Sequence, residues 1–383
     1  MVLLAAVAVV AAGASAVREL IADDGSDDKP TAVTRVSSER VPGNPEPLVH
    51  DGEVATTWRI RYRVASPGTV QTEVVTVRAP FESHTDVTVG GAVSEAREAA
   101  LGVAVTKQAR GAIVGLAPVP EAAGFRPGAV IPGALEHDLV ERREQRTVAD
   151  RRCQAYRTAS VFSGATFATP TSSVDYVELC VDREGLLLEL IETFESRVIR
   201  QRVAVDVRVG IDVTDAELRA FPHEQTIPPN QGGGSVRAVD PASQPVGPFF
   251  VLDTPPPGFT TAGRYEVIPP QPDISRPETR NSVVAAMSDV FVRDADMVVV
   301  ERGARLDKTP PWELDDRFPD VELGPALGTG EFLAGTSGGE IRALLPSGRF
   351  VRVYGTVSLD VLVDTARALR PTDGGTGPVY LDD

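Results

Sequence analysis

The chain is poor in the residue types that build metal and cofactor sites. Its 383 residues include two cysteines and four histidines, and the histidines lie far apart in the sequence. Zinc sites need about four such ligands at short spacings, so we expect no metal. No nucleophile-elbow serine and no S-x-x-K pair stands in a convincing context, and Gly335–Gly339 is better explained as a hairpin turn than as a phosphate loop. We therefore predict no cofactor and no enzymatic activity.

Positive charge is also scarce. Only three lysines accompany the arginines, and acidic residues outnumber basic ones, so the formal net charge is −16 and the pI is near 4.8. A nucleic-acid partner requires a basic surface that can meet phosphates. The composition excludes nucleic acid as a partner and identifies no other one.

An apolar run opens the sequence. Val2–Val17 are sixteen apolar or small residues, and Asp23–Asp28 is acidic. As a helix the run would measure about 24 Å, short of the roughly 30 Å hydrocarbon core of a bilayer. It is a signal peptide cleaved after Ala14-Ser15-Ala16, although the basic n-region is missing, or a membrane anchor; a buried core helix is the third alternative. The first two place the remaining chain outside the cytoplasm.

Composition divides the remaining chain into two folded units. The chain is 42% hydrophobic, and domains commonly contain about 100 to 200 residues. Its length and composition are therefore sufficient for two hydrophobic cores. Polar stretches without periodicity, rich in Pro, Ser, Asp or Gly, are typical of tethers and linkers. The predicted divisions are 1–17 signal peptide or anchor, 18–50 disordered tether, 51–212 first domain, 213–248 linker, 249–370 second domain and 371–383 disordered tail.

The clearest strand pattern runs from Cys153 to Val209. Three segments there, at about 173–182, 186–194 and 198–209, are joined by polar turns too short for parallel crossovers. In the last segment the valines Val203, Val205, Val207 and Val209 alternate with polar residues, as on a sheet with one buried face. This pattern predicts an antiparallel meander.

Both cysteines lie in this meander. Cys153 stands at its beginning and Cys180 near its middle. In an exported chain they predict one disulfide bond, formed in an oxidising compartment. Two buried free thiols are the alternative.

The first domain opens with a second alternating segment. Trp58, Ile60, Tyr62 and Val64 alternate with arginines, which gives the strand an apolar and a cationic face. A turn and the segment 71–78 complete a hairpin, and 87–89 is a third strand. Ser94–Leu101 has the pattern of a short helix capped by Ser94.

The second domain ends in the best helical pattern of the chain. Short strands are predicted at 264–268, 288–293, 297–301, 330–334, 340–345 and 350–354. Ser358–Leu369 then places its apolar residues on one helical face, with Ser358 as the N-cap and Pro371 as the stop. The fold class is mainly β (α+β): a curved antiparallel sheet, or open half-barrel, followed by a smaller antiparallel sheet with a C-terminal helix.

One segment is unusually rich in arginine. Leu139–Arg152 contains five arginines interleaved with acidic residues: Arg142, Arg143, Arg146, Arg151 and Arg152. It is a site for an anion or a lipid headgroup, or a solvated strand face whose charges pair with one another, and the alternating signs favour the second interpretation.

Several motifs resemble the lipoprotein-carrier-like superfamily. They are the hairpin Val181–Glu189, the P-P-G-F of Pro256–Phe259, the S-D-V-F-V of Ser288–Val292 and the closing Arg349–Leu369. Within that superfamily the chain looks most like two-domain exported regulators of envelope-stress anti-sigma factors in high-GC bacteria. The resemblance implies a half-barrel around an apolar cavity that takes acyl chains or a hydrophobic segment of a partner.

Two functions follow as expectations. The first is an extracytoplasmic binding protein, secreted or anchored to the cell membrane through its N-terminus, that holds a lipid or other apolar ligand. The second is a membrane-tethered regulatory protein that docks an envelope protein. The candidate cavity wall consists of Trp58, Ile60, Tyr62, Val203 and Val205. For Trp58 and Tyr62 the burial pattern of such residues favours ordinary core packing over a role in a cavity wall.

Overall fold

The structure is a computed structural model, and it describes thirteen stretches of the chain. These are residues 38–43, 45–50, 54–100, 103–108, 111–115, 125–159, 167, 174–219, 235–240, 250–268, 284–305, 318–345 and 348–372. The predicted signal peptide or anchor, the first part of the tether and nearly all of the tail lie outside these stretches. Within them, no helix is long and apolar enough to cross a bilayer.

Twelve of the described strands form one antiparallel sheet. They are β1 (Glu39–Arg40), β2 (Thr57–Ser66), β3 (Thr69–Arg78), β4 (Glu82–Val89), β5 (Ala92–Ala100), β6 (Val103–Gln108), β7 (Gly111–Gly115), β8 (Val140–Val148), β9 (Arg151–Thr158), β10 (Tyr176–Asp182), β11 (Leu187–Phe194) and β12 (Arg197–Val209). Their order is β1-β8-β9-β10-β11-β12-β2-β3-β4-β5-β6-β7. The predicted meander from Cys153 to Val209 is confirmed as the neighbours β9 to β12.

A second antiparallel sheet of eight strands follows. It contains β13 (Ser235–Val239), β15 (Thr260–Ile268), β16 (Val284–Arg293), β17 (Asp296–Arg305), β18 (Asp320–Glu322), β19 (Thr329–Gly335), β20 (Gly338–Leu344) and β21 (Arg349–Gly355), in the order β13-β15-β16-β17-β21-β20-β19-β18. The short strands β14 (Phe250–Val251) and β22 (Arg370–Pro371) pair with each other. The predicted fold class, mainly β with antiparallel sheets and few helices, is confirmed.

Three helices are described: α1 (Ile131–Glu136), α2 (Asp215–Leu218) and α3 (Leu359–Arg367). Helix α3 is the predicted C-terminal helix, and its apolar positions Leu359, Leu362, Val363 and Ala366 are buried. Ser358 occupies the N-cap position, but its side chain makes no capping hydrogen bond. The helix is therefore held by burial of its apolar face, the usual source of helix stability in proteins.

One hydrophobic core joins the two sheets. Its members include Leu179 of β10, Val300 of β17 and Leu362 of α3, together with Ile131 of α1. Gly128, just before α1, donates a backbone hydrogen bond of 3.1 Å to the carbonyl of Gly185 in the β10–β11 turn. A Cβ atom on Gly128 would lie 2.2 Å from the Gly185 Cα, so this contact requires glycine. The domain boundaries themselves stay a prediction.

Four local expectations differ from the structure. Ser94–Leu101 is not a helix, because residues up to Ala100 belong to β5, which is paired with β4 and β6. Residues 38–50 of the predicted tether include β1, which pairs with β8. The predicted linker contains α2 and also β13, which pairs with β15. The alternation of valines in β12 is broken by a register shift between Ala204 and Asp206, a β-bulge.

Candidate functional site

In the described part of the chain, most residues of the predicted cavity wall are packed in a hydrophobic core. Trp58, Ile60, Tyr62 and Val203 are between 0% and 5% exposed and belong to one hydrophobic cluster. The Tyr62 hydroxyl donates to the carbonyl of Leu187 at 2.7 Å. Val205 is 46% exposed, because the bulge in β12 removes it from the face of Val203. Four of the five residues thus lie together in one packed cluster, while their role as a ligand wall stays a prediction.

Cys153 and Cys180 form the predicted disulfide bond. It connects the neighbouring strands β9 and β10, with the two Cα atoms 5.4 Å apart, and both residues are fully buried. That separation is typical of disulfides. The alternative of two free thiols is excluded.

A polar cleft of about 370 Å³ lies beside this disulfide-bonded strand pair, at the β1–β8 edge of the first sheet. All of its lining side chains are polar: Ser38, Arg40, Arg143, Glu144, Arg146, Arg157 and Glu178. Pairing of β1 with β8 positions Arg40 and the preceding Ser38 at the cleft. The register shift in β8 between Arg142 and Gln145 changes the side of the strand on which the following residues lie.

The floor of the polar cleft consists of one buried arginine, Arg146, and the three glutamates to which it donates hydrogen bonds. Arg146 donates to Glu144 at 2.7 Å, Glu178 at 3.0 Å and Glu189 at 2.8 Å. Its side chain is 5% exposed, and those of Glu178 and Glu189 are 7% and 1% exposed. Buried charges are tolerated only when they are paired and hydrogen-bonded. The floor meets this condition, so it is a structural network.

Two neighbouring polar side chains also donate hydrogen bonds to Glu189. Gln201 of β12 donates to it at 3.0 Å, and the Ser38 hydroxyl donates at 3.2 Å. The N-terminal segment is thereby attached to the sheet through a buried carboxylate as well as through backbone pairing.

Hydrogen bonds from arginines favour the ionised forms of Glu178 and Glu144. Burial raises the pKa of Glu178, but hydrogen bonds from Arg157 and Arg146 outweigh it and leave that pKa below its ordinary value. The pKa of Glu144 is likewise lowered, against the effect of burial, by a backbone hydrogen bond and by Arg146. The carboxylates that line the cleft are therefore already paired with arginines before any ligand binds.

Three further arginines surround the opening of the polar cleft, and we call them the rim: Arg40, Arg143 and Arg157. Arg157 donates to Glu178 and lies over the Tyr176 ring, 4.3 Å from its centroid. Arg143 makes one hydrogen bond of 3.2 Å with Glu141. The rim side chains are between 30% and 76% exposed, in contrast to the buried floor.

The structure divides the five arginines of the predicted Arg-rich segment. Arg143 and Arg146 line the polar cleft, whereas Arg151 pairs with Asp182 at 2.7 Å and Glu184 at 2.8 Å. Arg142 lies near the Tyr156 hydroxyl, whose pKa burial raises to about 12, and Arg152 is exposed. The predicted pairing of charges within the segment is confirmed for Arg143 with Glu141 and for Arg146 with Glu144. Arg151 instead pairs with acidic residues outside the segment.

Sequence reasoning missed Arg40, Arg157 and Glu178 as members of the cleft. Glu178 lies opposite Arg157 across the β9–β10 pair, and only the register reveals that contact. A usable signal was present, because Glu178 is a charge inside a strand that is otherwise apolar at most positions.

A second buried ionic group lies in the other sheet. Asp289 of β16 pairs with Arg264 at 2.5 Å and with Arg302 at 2.7 Å, and the Arg302 side chain is fully buried. Across the ranges that the structure covers, no group of His, Cys, Asp or Glu side chains is placed to hold a metal ion.

Comparison with known proteins gives structural likenesses only. No family model matches the chain, and no curated protein matches it. Among solved structures, MucB in complex with MucA(peri) is 14% identical, covers 82% of this chain and 93% of that one, and has a TM-score of 0.28. The Pseudomonas aeruginosa MucA/MucB complex is 13% identical with the same coverages and a TM-score of 0.30.

A LolA superfamily protein from Nitrosomonas europaea is also similar. It is 9% identical, covers 44% of this chain and 91% of that one, and has a TM-score of 0.21. Superpositions this loose say nothing about what the present chain binds. The assignment of the fold rests on the strand order and register of the chain itself.

Proposed function

We propose that the protein is a non-catalytic, extracytoplasmic binding protein that docks another protein of the cell envelope. The alternative within the same class, a carrier of a lipid or other apolar ligand, requires an apolar cavity. The observation that favours docking is the packing of Trp58, Ile60, Tyr62 and Val203 in the core, together with the wholly polar lining of the cleft.

The disulfide and the leader support the proposed compartment. A buried disulfide between adjacent strands is typical of proteins that fold in an oxidising environment. The apolar run Val2–Val17 provides an export signal or an anchor, and β1 and Leu48, which follow it in the chain, contact β8 and β9. A tethered protein with its first sheet held close to the membrane is consistent with a regulatory role.

Native mass spectrometry of protein extracted gently from its own envelope separates the two functions. Docking predicts the mass of the oxidised chain alone or with one protein partner in fixed stoichiometry. A lipid bound at one copy per chain would instead establish the carrier function.

Cell fractionation tests the compartment independently. We expect the chain in the envelope fraction, with no thiol that reacts before reduction. Recovery in the cytosol with two reactive thiols after denaturation would contradict both functions.

A further inference from the structure

The polar cleft has a basic rim above a neutralised floor. Four arginines reach it from three strands, and two glutamates share its lining. Both glutamates are engaged by Arg146, and Glu178 also by Arg157. The lining side chains therefore carry a net positive charge, with four arginines and two glutamates, although Glu141 and Glu189 outside the lining also pair with Arg143 and Arg146. The chain as a whole carries a net charge of −16.

Most donors of the floor are already used. Arg146 has five N–H groups, like any arginine, and makes four hydrogen bonds through Nε, Nη1 and Nη2 to three carboxylates. Its side chain lines the cleft but is only 5% exposed. Arg146 therefore positions the lining glutamates and does not bind a ligand itself.

The donors of the rim are largely unused. Among the described residues, Arg40 reaches only Glu144, at 3.7 Å, which is too long for a hydrogen bond. Toward the described part of the chain, Arg143 donates one hydrogen bond through Nη1, and Arg157 donates through Nε and Nη2 but not through Nη1. Three guanidinium groups with spare N–H donors thus surround one opening.

Stacking on Tyr176 and pairing with Glu178 hold Arg157 in one orientation. A guanidinium that is oriented before binding loses less side-chain entropy when it meets an anion. The side chain of Arg157 is therefore held in one orientation, while those of Arg40 and Arg143, which have fewer contacts, can adjust to a ligand.

We propose that the polar cleft binds a phosphate ester, with Arg40, Arg143 and Arg157 as the donors to its oxygens. Guanidinium groups match the spacing of phosphate oxygens and bind them with charge-assisted hydrogen bonds. A space of about 370 Å³ exceeds what one inorganic ion fills, and its polar lining suits the hydroxylated group to which the phosphate is attached. The ester is either a soluble compound or the headgroup of a lipid.

This site is independent of the docking function, since it requires no protein partner. Failure of the partner experiment would leave it intact, and loss of ester binding would leave docking intact. A co-purified lipid counts as cargo of an apolar cavity only if the Arg40→Gln/Arg143→Gln variant retains it, because a lipid held by its headgroup in the polar cleft would be lost from that variant.

Isothermal titration of the full chain at low ionic strength, where surface charges are least screened, is the test. The ligands are glycerol 3-phosphate, inorganic phosphate and succinate, and flotation with phosphatidylglycerol or phosphatidylcholine vesicles covers the lipid source. The cleft variant is Arg40→Gln/Arg143→Gln, since both side chains are exposed and their loss leaves the floor intact. The matched control is Arg208→Gln/Arg219→Gln, which removes the same charge from exposed positions outside the cleft.

We expect saturable binding of glycerol 3-phosphate, or selective flotation with phosphatidylglycerol, weakened about tenfold or more in the cleft variant and unchanged in the control. Binding of the soluble ester identifies a soluble ligand, and flotation alone identifies a headgroup. Equal weakening in both double variants would overturn the site, as would equal affinity for succinate or no saturable binding of any phosphate compound.

Discussion

Arg146 and Glu189 form an ion pair of 2.8 Å although their strands, β8 and β11, are separated by β9 and β10. Cross-strand pairing aligns Glu189 with Cys180, and Cys180 with Ala155. Both intervening side chains are small and buried, so the arginine has room to extend across them. The disulfide-bonded strand pair and the ionic floor of the polar cleft are therefore parts of one layer.

Replacement of Arg146 by methionine removes the shared cation of this layer. It leaves Glu178 and Glu189 buried with fewer partners, and we expect the free energy of unfolding to fall by about 3–5 kcal/mol. Urea denaturation measures the change. Arg143→Gln is the control, since this exposed arginine should cost less than about 0.5 kcal/mol; a similar loss in both variants would contradict a special role of the floor.

The disulfide should contribute measurably to stability. Its half-cystines are 27 residues apart, and the chain-entropy model assigns about 3–4 kcal/mol to a loop of this length. We expect Cys153→Ala/Cys180→Ala to unfold at correspondingly lower urea concentration. The wild-type protein treated with reductant should approach the variant, and identical midpoints for oxidised and reduced protein would show that the bridge adds nothing.

Gly128 should tolerate no side chain. In Gly128→Ala the new Cβ would meet the Gly185 backbone at 2.2 Å, so the segment before α1 must shift from the core that joins the two sheets. We expect a loss of about 1–3 kcal/mol, measured by thermal or urea unfolding. Gly335→Ala is the matched control, because its Cβ would have its nearest contact at 3.7 Å; equal losses would mean that the close approach does not matter.

Acid should destabilise the second sheet through Glu340. Burial opposes ionisation of this carboxyl, but Arg352 and Arg342 outweigh it and lower its pKa to about 2, from 4.5. The unfolded chain therefore binds the proton more readily, and the stabilising contribution, complete above pH 4.5, is lost as the pH falls towards 2.

In Glu340→Gln we expect lower stability at neutral pH and a smaller decrease between pH 4.5 and 2. Urea titrations at several pH values measure both. The exposed Glu136→Gln serves as control and should keep the wild-type slope. A wild-type slope in Glu340→Gln would contradict the assignment.

Local patterns were sufficient for most strands and for α3. The alternation from Trp58 to Val64 predicts β2 because adjacent side chains on a strand point to opposite faces. The local pattern was misleading at Ser94–Leu101, where a helix was predicted. Pairing with β4 and β6 holds the described residues of this segment in β5, because tertiary context can override helix propensity. The local pattern also failed at Val205, because a bulge has no dependable signature in a single sequence.

The polar cleft was beyond such reasoning. Its residues come from β1, β8, β9 and β10, which are up to about 140 positions apart in the chain, and the Arg-rich segment alone suggested only that its charges pair. Which glutamate meets which arginine depends on strand order and register, and a shift of one residue would turn each side chain to the other face.

The sequence by itself determined the antiparallel β class and the C-terminal helix, because the period of the apolar residues and the length of the turns are local properties. It also determined which two cysteines could form a disulfide bond, since there are only two. Only the tertiary structure decided that Tyr62 and its neighbours fill a core, that β1 and Leu48 lie against β8 and β9, and that arginines gather at one edge. Those outcomes depend on contacts between distant segments, where packing and charge pairing outweigh local preference.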